Sequence, residues 1–139
     1  MGSPVYMEQR IKLGVLEGLL ARISSVSAYW LIKMKPSRLE WVMRHVAVLN
    51  GVADYAKVEY LRTAVNSVSA RCAGNGCLQR SVAVMLLARL YRISLIWRCG
   101  FRTKPFIAHA WVESDGQPVG ENIELSDFLI SLEAGGFND

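Results

Sequence analysis

The apolar residues of this chain change their spacing once, near residue 93, and this change constrains the fold more than any other feature. Before it, they recur every three or four residues, which is the spacing of amphipathic helices. After it, they alternate with polar residues, as in half-buried strands. Helices that come first and strands that come later predict an α+β domain with a small antiparallel sheet.

Cap and turn residues predict where the helices begin and end. Residues 7–25 form the first predicted helix, and residues 28–34 extend it or begin another. Ser37 and Glu40 fit a capping box for the next helix, which is predicted to end near the Asn-Gly pair at 50–51. Asp54 is predicted to cap a third helix, and residues 77–92 form the last. The predicted inward residues of these last two helices are Val58, Leu61, Val65, Val68, Val82, Leu86 and Leu90.

The remaining elements are predicted to be strands and one short helix. Residues 94–101 and 106–114 have the alternation of strands, and Cys99 in the first of them is expected to be a buried packing residue. The Asp115-Gly116 pair is a strong hairpin signal, and residues 117–122 form the predicted returning strand. Residues 125–132 are predicted to form a terminal helix, and residues 134–136 a frayed tail.

Composition limits the class of protein. The chain has 139 residues, of which 52% are hydrophobic and 20% charged, so one folded domain is expected. We divide it into a helical part, 1–69, and a catalytic part, 70–139, within one compact domain. The net charge of +4 lies in the first part, and its scattered basic residues do not indicate nucleic-acid binding.

The sequence also predicts where the protein works. The apolar run 23–32 is too short to span a bilayer, so no transmembrane segment is expected. There is no signal-peptide pattern, and the three cysteines are an odd number. These features predict a cytoplasmic protein with reduced thiols.

Cys77 and His109 are the strongest candidates for chemistry. Cys77 follows a Gly-x-Gly turn and opens a predicted helix, where unpaired N–H groups and the helix dipole favour a thiolate. His109 lies on a predicted strand and is the candidate base. Backbone N–H groups beside the cysteine, at Gly76 and Leu78, are candidates to stabilise an oxyanion or to let substrate approach.

A third residue is needed to orient the imidazole, and the hairpin offers two. A two-residue loop at 115–116 would put Asn122 opposite His109. A three-residue loop would move Glu121 onto the face of His109. Either a carboxylate or an amide oxygen can accept the ring N–H, so both candidates stay open.

Other interpretations compete with catalysis. A lone cysteine at a helix start is more often structural, and the chain would then be a non-catalytic scaffold. Cys72, Cys77, Cys99 and His109 form the alternative set for a small zinc module, although their spacing is a weak metal signal. The charges of Arg80, Arg89 and Arg92 are expected to lie on a solvated helix face.

Four segments, taken in order, resemble one known family. Residues 71–81 read RCAGNGCLQRS, residues 100–103 read GFRT ahead of PF at 105–106, residues 108–113 read AHAWVE, and residues 115–121 read DGQPVGE. Together they resemble lasso-peptide leader peptidases, the stand-alone peptidase half of the lasso maturation B protein. The resemblance covers about residues 66–122, and the helical first part matches only in character.

The resemblance implies a transglutaminase-like, papain-like core, with N-terminal helices followed by a nucleophile helix and a small antiparallel sheet. It implies a cysteine peptidase with Cys77 as nucleophile and His109 as base. Glu121 stands where the family commonly has Asp, and Asn122 is the reserve for that role. We expect neither a cofactor nor a metal, and no Gly-x-x-x-x-Gly-Lys nucleotide motif occurs.

The resemblance also implies a reaction and partners. The family removes the leader from a ribosomally made precursor peptide, and a separate ATP-dependent cyclase then closes the ring of the core peptide. In stand-alone members a small separate protein binds the leader. This sequence has no N-terminal β-rich segment of that kind, so we expect it to depend on such a partner, with the cyclase as a further partner.

Overall fold

The computed structural model describes residues 11–135, and it contains helices followed by a four-stranded sheet. The α+β class predicted from the sequence is confirmed. None of the helices within this range is long and apolar enough to cross a membrane. The helices are α1 Val15–Leu31, α2 Pro36–Val46, α3 Tyr55–Val68, α4 Ala70–Ala73 and α5 Cys77–Leu90, and the strands are β1 Ile96–Arg102, β2 Ile107–Ser114, β3 Gln117–Pro118 and β4 Leu129–Gly135.

The sheet is antiparallel throughout, in the order β3-β2-β1-β4. Helix α5 packs against β2 on one side and against α1 and α3 on the other, while α2 packs against β4. Trp97 of β1 is fully buried beneath α5, and its indole N–H donates to Ser81 Oγ at 3.0 Å. One hydrophobic core therefore runs from Ala21 in the helical part to Ala134 in the sheet.

Helix α5 is buried on nearly every side because it lies between the sheet and the outer helices. Four successive residues in its middle, 82–85, are at most 2% exposed. The predicted inward face is correct for Val82, but Leu86 is half-buried and Leu90 is 55% exposed. A helix in a central layer has no single apolar stripe, so a one-face prediction fails there.

Both predicted boundaries of α2 are wrong. Ser37 does not cap α2, because Pro36 begins that helix and Lys35 is its N-cap. Proline suits this position since it has no N–H to leave unpaired. Glu40 instead accepts the Glu133 N–H of β4 at 2.9 Å. The helix ends at Val46, before the predicted 50–51.

Helix α1 is one continuous helix through residue 31, so 28–31 extend it and do not begin another. It starts at Val15, because Gly14 has an extended backbone with ψ of 167°. Of the predicted start, residues 11–14 are not helical and residues 7–10 lie outside the described range.

The largest difference from the predictions lies after residue 124. Residues 125–132 are not a helix, because 129–135 form β4 along the open edge of β1. The predicted frayed tail is also wrong in 134–135, since Ala134 is 1% exposed and Gly135 is paired with Ile96; residue 136 lies outside the described range. The returning strand is shorter than predicted and covers only Gln117–Pro118.

A charged cluster joins three strands on the sheet face away from α5. Arg98 of β1 pairs with Glu113 of β2 at 3.0 Å and with Glu133 of β4 at 2.5 Å. The Trp111 indole N–H donates to the second oxygen of Glu113 at 2.8 Å. Each partly buried carboxylate thus has a charged partner, as burial requires.

Candidate active site

Cys77 is the first residue of α5, and the turn before it depends on Gly76. The Gly76 N–H donates to the Arg71 carbonyl oxygen at 2.8 Å. A Cβ at Gly76 would lie 2.6 Å from that oxygen, so no other residue fits without displacing the backbone. The close approach that this glycine permits is therefore made by the chain itself, and not by a substrate.

The hydrogen bonds of this turn determine which backbone N–H groups beside Cys77 remain available to donate to an oxyanion. The Gly76 N–H is occupied by Arg71, contrary to the expectation that it is a free donor. The Cys77 N–H donates to the Asn75 carbonyl oxygen at 3.0 Å. The Leu78 N–H lies in the first turn of α5, and no acceptor among residues 11–135 takes it. Leu78 remains the candidate donor.

His109 lies on β2, next to the thiol and to a carboxylate. Its Nε2 is 2.5 Å from Glu121 Oε1, and its other side is hydrogen-bonded to the Cys77 thiol. Because Nε2 faces the carboxylate, Nδ1 is the nitrogen left for the sulfur. The ring stacks on Trp111 with centroids 6.0 Å apart, which fixes its plane.

Glu121 reaches His109 because the returning strand stops early. The hairpin has the two-residue loop, with Ser114 paired to Gln117, and in a longer strand this register would put Asn122 opposite His109. The strand ends at 118, and Gly120 has a φ of +69°, which turns the chain. The Glu121 side chain is 6% exposed against the imidazole, whereas Asn122 is exposed.

Arg62 of α3 is a part of the site that the sequence reasoning missed. Its Nη2 is 3.5 Å from Glu121 Oε2, so the carboxylate lies between a guanidinium and the imidazole. A Cβ at Gly120 would lie 2.9 Å from the Arg62 side chain, which explains the glycine. The available signal was a charge on the apolar stripe of α3, between Val58 and Val65.

The electrostatics of the pair favour a charged thiolate. Burial by itself raises the pKa of the Cys77 thiol. Hydrogen bonds from the His109 ring and the Ala110 N–H outweigh burial, and the charge of Arg80 adds to them, so the thiol pKa lies below its ordinary value. Burial alone would lower the pKa of His109, but its bonds to Cys77 and Glu121 raise it to about 9.

Arg80 is not on a solvated helix face, contrary to prediction. It is 6% exposed, and its Nη1 donates to the Cys72 carbonyl oxygen at 2.6 Å and to the Gly74 carbonyl oxygen at 3.4 Å. The guanidinium therefore braces the turn that precedes Cys77, and it supplies a buried positive charge near the sulfur.

A cleft of about 500 Å³ opens over Cys77 and His109. Its walls are mainly apolar, and the Phe101 and Phe106 rings stack there with centroids 6.2 Å apart. Cys99 packs against the hydrophobic core as predicted, but it is only half-buried because it also lines this cleft. Burial, with the nearby Cys77 charge, raises the Cys99 pKa to about 12 and keeps this thiol protonated.

The four residues of the alternative zinc set are not gathered around one point. Within residues 11–135 there is no group of three or more His, Cys, Asp or Glu side chains placed to hold a metal ion. Cys72 is fully buried in the hydrophobic core, and burial raises its pKa above the ordinary value. The zinc interpretation therefore has no geometric support in this range.

Comparison with known proteins agrees with this architecture. A profile described as the transglutaminase-like superfamily matches residues 23–131, which include Cys77, His109 and Glu121. No curated protein and no solved structure gives a significant match. The match covers more than half of the chain, from within α1 to within β4, and it includes the turn before α5. The chain therefore belongs to the transglutaminase-like superfamily.

Proposed function

We propose that this protein is a cysteine peptidase with Cys77 as nucleophile, His109 as acid and base, and Glu121 as the residue that orients the imidazole. The superfamily includes both cysteine peptidases and transglutaminases. The observation that carries the proposal is the unbroken chain of contacts from the thiol through the imidazole to the carboxylate, at the first residue of a 14-residue helix.

The geometry supports an acyl-transfer mechanism. The Cys77 thiolate attacks the scissile carbonyl carbon, and the Leu78 N–H faces the developing oxyanion. The His109 imidazolium gives its Nδ1 proton to the departing amine, which leaves a thioester on the sulfur. The neutral imidazole then takes a proton from water, and the resulting hydroxide attacks the thioester. A carboxylic acid and the starting thiolate–imidazolium pair result.

We take the substrate to be the leader–core precursor of a lasso peptide. The resemblance of residues 71–81, 108–113 and 115–121 to leader peptidases supports this choice. In this proposal a separate protein binds the leader and delivers it, and cleavage in the cytoplasm precedes ATP-dependent closure of the ring by a cyclase. The apolar cleft of about 500 Å³ is large enough for the residues on either side of one peptide bond.

Mass spectrometry of a lasso precursor peptide tests this proposal. The precursor is incubated with the protein and its leader-binding partner, with Cys77→Ala in parallel. We expect a new core-peptide mass that is missing with Cys77→Ala, and Glu121→Ala should reduce its rate strongly. If the precursor stays intact although partner binding is verified, the peptidase proposal fails and the non-catalytic scaffold becomes the better interpretation.

A further inference from the structure

A groove runs along helix α1, beside the end of α3. It consists of two adjoining cavities of about 560 Å³ and about 200 Å³, both lined by Arg22 and Val68. The α1 residues that line it extend from Val15 to Tyr29, which is about 21 Å along a helix. That length matches about six residues of extended peptide.

The smaller cavity contains a buried acceptor that lacks a donor. Gln79 is 4% exposed, and its Nε2 donates to the Ser25 carbonyl oxygen at 3.0 Å. Its Oε1 has no hydrogen-bond partner among residues 11–135. Buried amide oxygens nearly always accept a hydrogen bond, so we expect an N–H group of a ligand to donate to this atom. Gln79 also lies two residues after Cys77, so the groove ends at the helix that carries the nucleophile.

The charges around the groove are positive. Arg22 lines both cavities, and Lys12 lines the end near the start of α1. At the other end, the Arg71 guanidinium lies 5.1 Å from the centroid of the Tyr29 ring, which forms part of the wall. The carboxylate of α1, Glu17, is engaged by the Tyr60 hydroxyl. A ligand that fits must therefore carry negative charge.

We propose that this groove binds an extended peptide segment in which apolar and acidic side chains alternate, with one backbone N–H donating to Gln79 Oε1. The apolar side chains contact Val26 and Val68, and the acidic ones pair with Arg22 and Lys12. A second copy of the chain would bring the same cations against one another, which disfavours it as the occupant. The inference rests on the proposed function, in which the segment is a part of the substrate remote from the cut bond.

Fluorescence anisotropy tests the groove without any cleavage. The probe is a labelled peptide of about ten residues with leucines spaced between glutamates, and it is compared with versions that carry lysines for the glutamates or serines for the leucines. We expect binding of the first peptide only. Arg22→Glu and Val26→Trp should each weaken it by about tenfold or more. The matched control Arg89→Glu, at an exposed position near the end of α5, should not. Equal binding to Arg22→Glu and Arg89→Glu would overturn the proposal.

Kinetics separates this inference from the peptidase proposal. With the full precursor, Arg22→Glu should raise KM and leave kcat unchanged, because the groove touches no reacting atom. With a short peptide that spans only the cut bond, Arg22→Glu and the unaltered protein should have equal kcat/KM. A fall in kcat for both substrates would contradict a remote binding groove. If the unaltered protein cuts neither substrate, the peptidase proposal fails, and the anisotropy result alone decides the groove.

Discussion

At the scale of single residues, Cys77 and His109 stabilise each other's charged forms. Burial alone opposes both charges, since it raises the pKa of the thiol and lowers that of the imidazole. The bond between the two groups, with help from Glu121 and the Ala110 N–H, reverses both effects. The ion pair therefore exists over a window that ends near pH 9, where His109 loses its proton.

The ion pair predicts a bell-shaped pH profile. The value of kcat/KM should rise as the Cys77 thiol ionises, at a pH below its ordinary pKa, and fall as the His109 imidazolium deprotonates near pH 9. Glu121→Gln should move the descending limb to lower pH, because the carboxylate raises the His109 pKa. Initial rates across the pH range measure both limbs. A descending limb that does not move in Glu121→Gln would show that the carboxylate does not set this pKa.

Arg62 is predicted to be a positioning residue that acts through Glu121. Arg62→Ala removes the cation on one side of the buried Glu121 carboxylate. The orientation of that carboxylate toward His109 is then less restricted. We expect kcat to fall by about 10- to 100-fold, since small misplacements of catalytic groups have effects of this size. The Arg62→Lys variant should recover part of the loss.

The readout that separates positioning from general destabilisation is again the pH profile. Arg62→Ala should change the descending limb together with kcat, while circular dichroism verifies that the helices remain. An unchanged pH profile with a reduced melting temperature would assign Arg62 to stability alone. Val58→Ala on the same helix serves as the control, because it opens a cavity in the core without touching Glu121.

At the scale of elements, sequence signals succeeded where structure is local. The start of α5 at Cys77 and the strand around His109 follow from a glycine turn and from alternation within a few residues. The sequence predicts a helix for residues 125–132, but residues 129–132 belong to β4, because that strand is stabilised by pairing with β1, about 30 residues earlier.

The same dependence on long-range contacts limits the prediction of the third site residue, the group that orients His109. Hairpin register alone favours Asn122 for the two-residue loop that the structure has, and it fails because the strand stops at 118. Register offers Glu121 only with a three-residue loop, which the structure does not have, and the family resemblance independently favours Glu121. Neither the hairpin register nor the resemblance indicates Arg62. A contact between α3 and a loop about 60 residues later leaves no periodic trace beyond one charge in an apolar stripe.

The charged cluster across β1, β2 and β4 predicts a stability effect at this scale. Arg98→Leu removes the cation between Glu113 and Glu133, and Glu113 is 7% exposed. Breaking such a pair on one side costs about 3 kcal/mol of unfolding free energy. The double variant Arg98→Leu/Glu113→Gln should recover most of it, because the amide is neutral and still accepts the Trp111 N–H.

Urea denaturation followed by tryptophan fluorescence measures these differences. Arg98→Leu, Glu113→Gln and the double variant form, with the unaltered protein, a double-mutant cycle. This cycle isolates the coupling free energy between Arg98 and Glu113. If Arg98→Leu unfolds at the same urea concentration as the unaltered protein, the cluster does not stabilise the sheet. Arg89→Leu is the control for loss of an exposed arginine on a different element.

At the scale of the whole molecule, the excess positive charge lies in the helical part, while the candidate groups Cys77 and His109 lie at the start of α5 and on the sheet. The division at residues 69 and 70 separates charge, but it does not separate cores, since one hydrophobic cluster contains residues of both parts. A partner can therefore bind the basic helices without covering the cleft over Cys77. For the proposed peptidase, this arrangement predicts that delivery of the substrate and its cleavage can be altered independently.

The connection between α1 and α2, together with the first turn of α2, is the predicted contact for the leader-binding partner. Lys33, Lys35 and Arg38 are exposed there, and Lys33 Nζ lies 4.5 Å from the centroid of the Tyr29 ring. Changing all three residues to Glu should lower the affinity for that partner. Added salt should also lower the affinity of the unaltered protein, because it screens the same charges. Isothermal titration calorimetry with the purified partner measures both effects.

Two comparisons make the outcome specific to this surface. Cleavage of a short peptide that needs no partner should be equal for the unaltered and the charge-reversed protein, because the three positions lie outside the cleft over Cys77 and His109. Arg89→Glu combined with Arg92→Glu changes exposed charge near the end of α5 and should leave partner affinity unchanged. Equal affinity after reversal at 33, 35 and 38 would remove this surface from the interface. Since the cleft and the basic helices share one core, a loss of affinity counts for the surface only if the melting temperature stays unchanged.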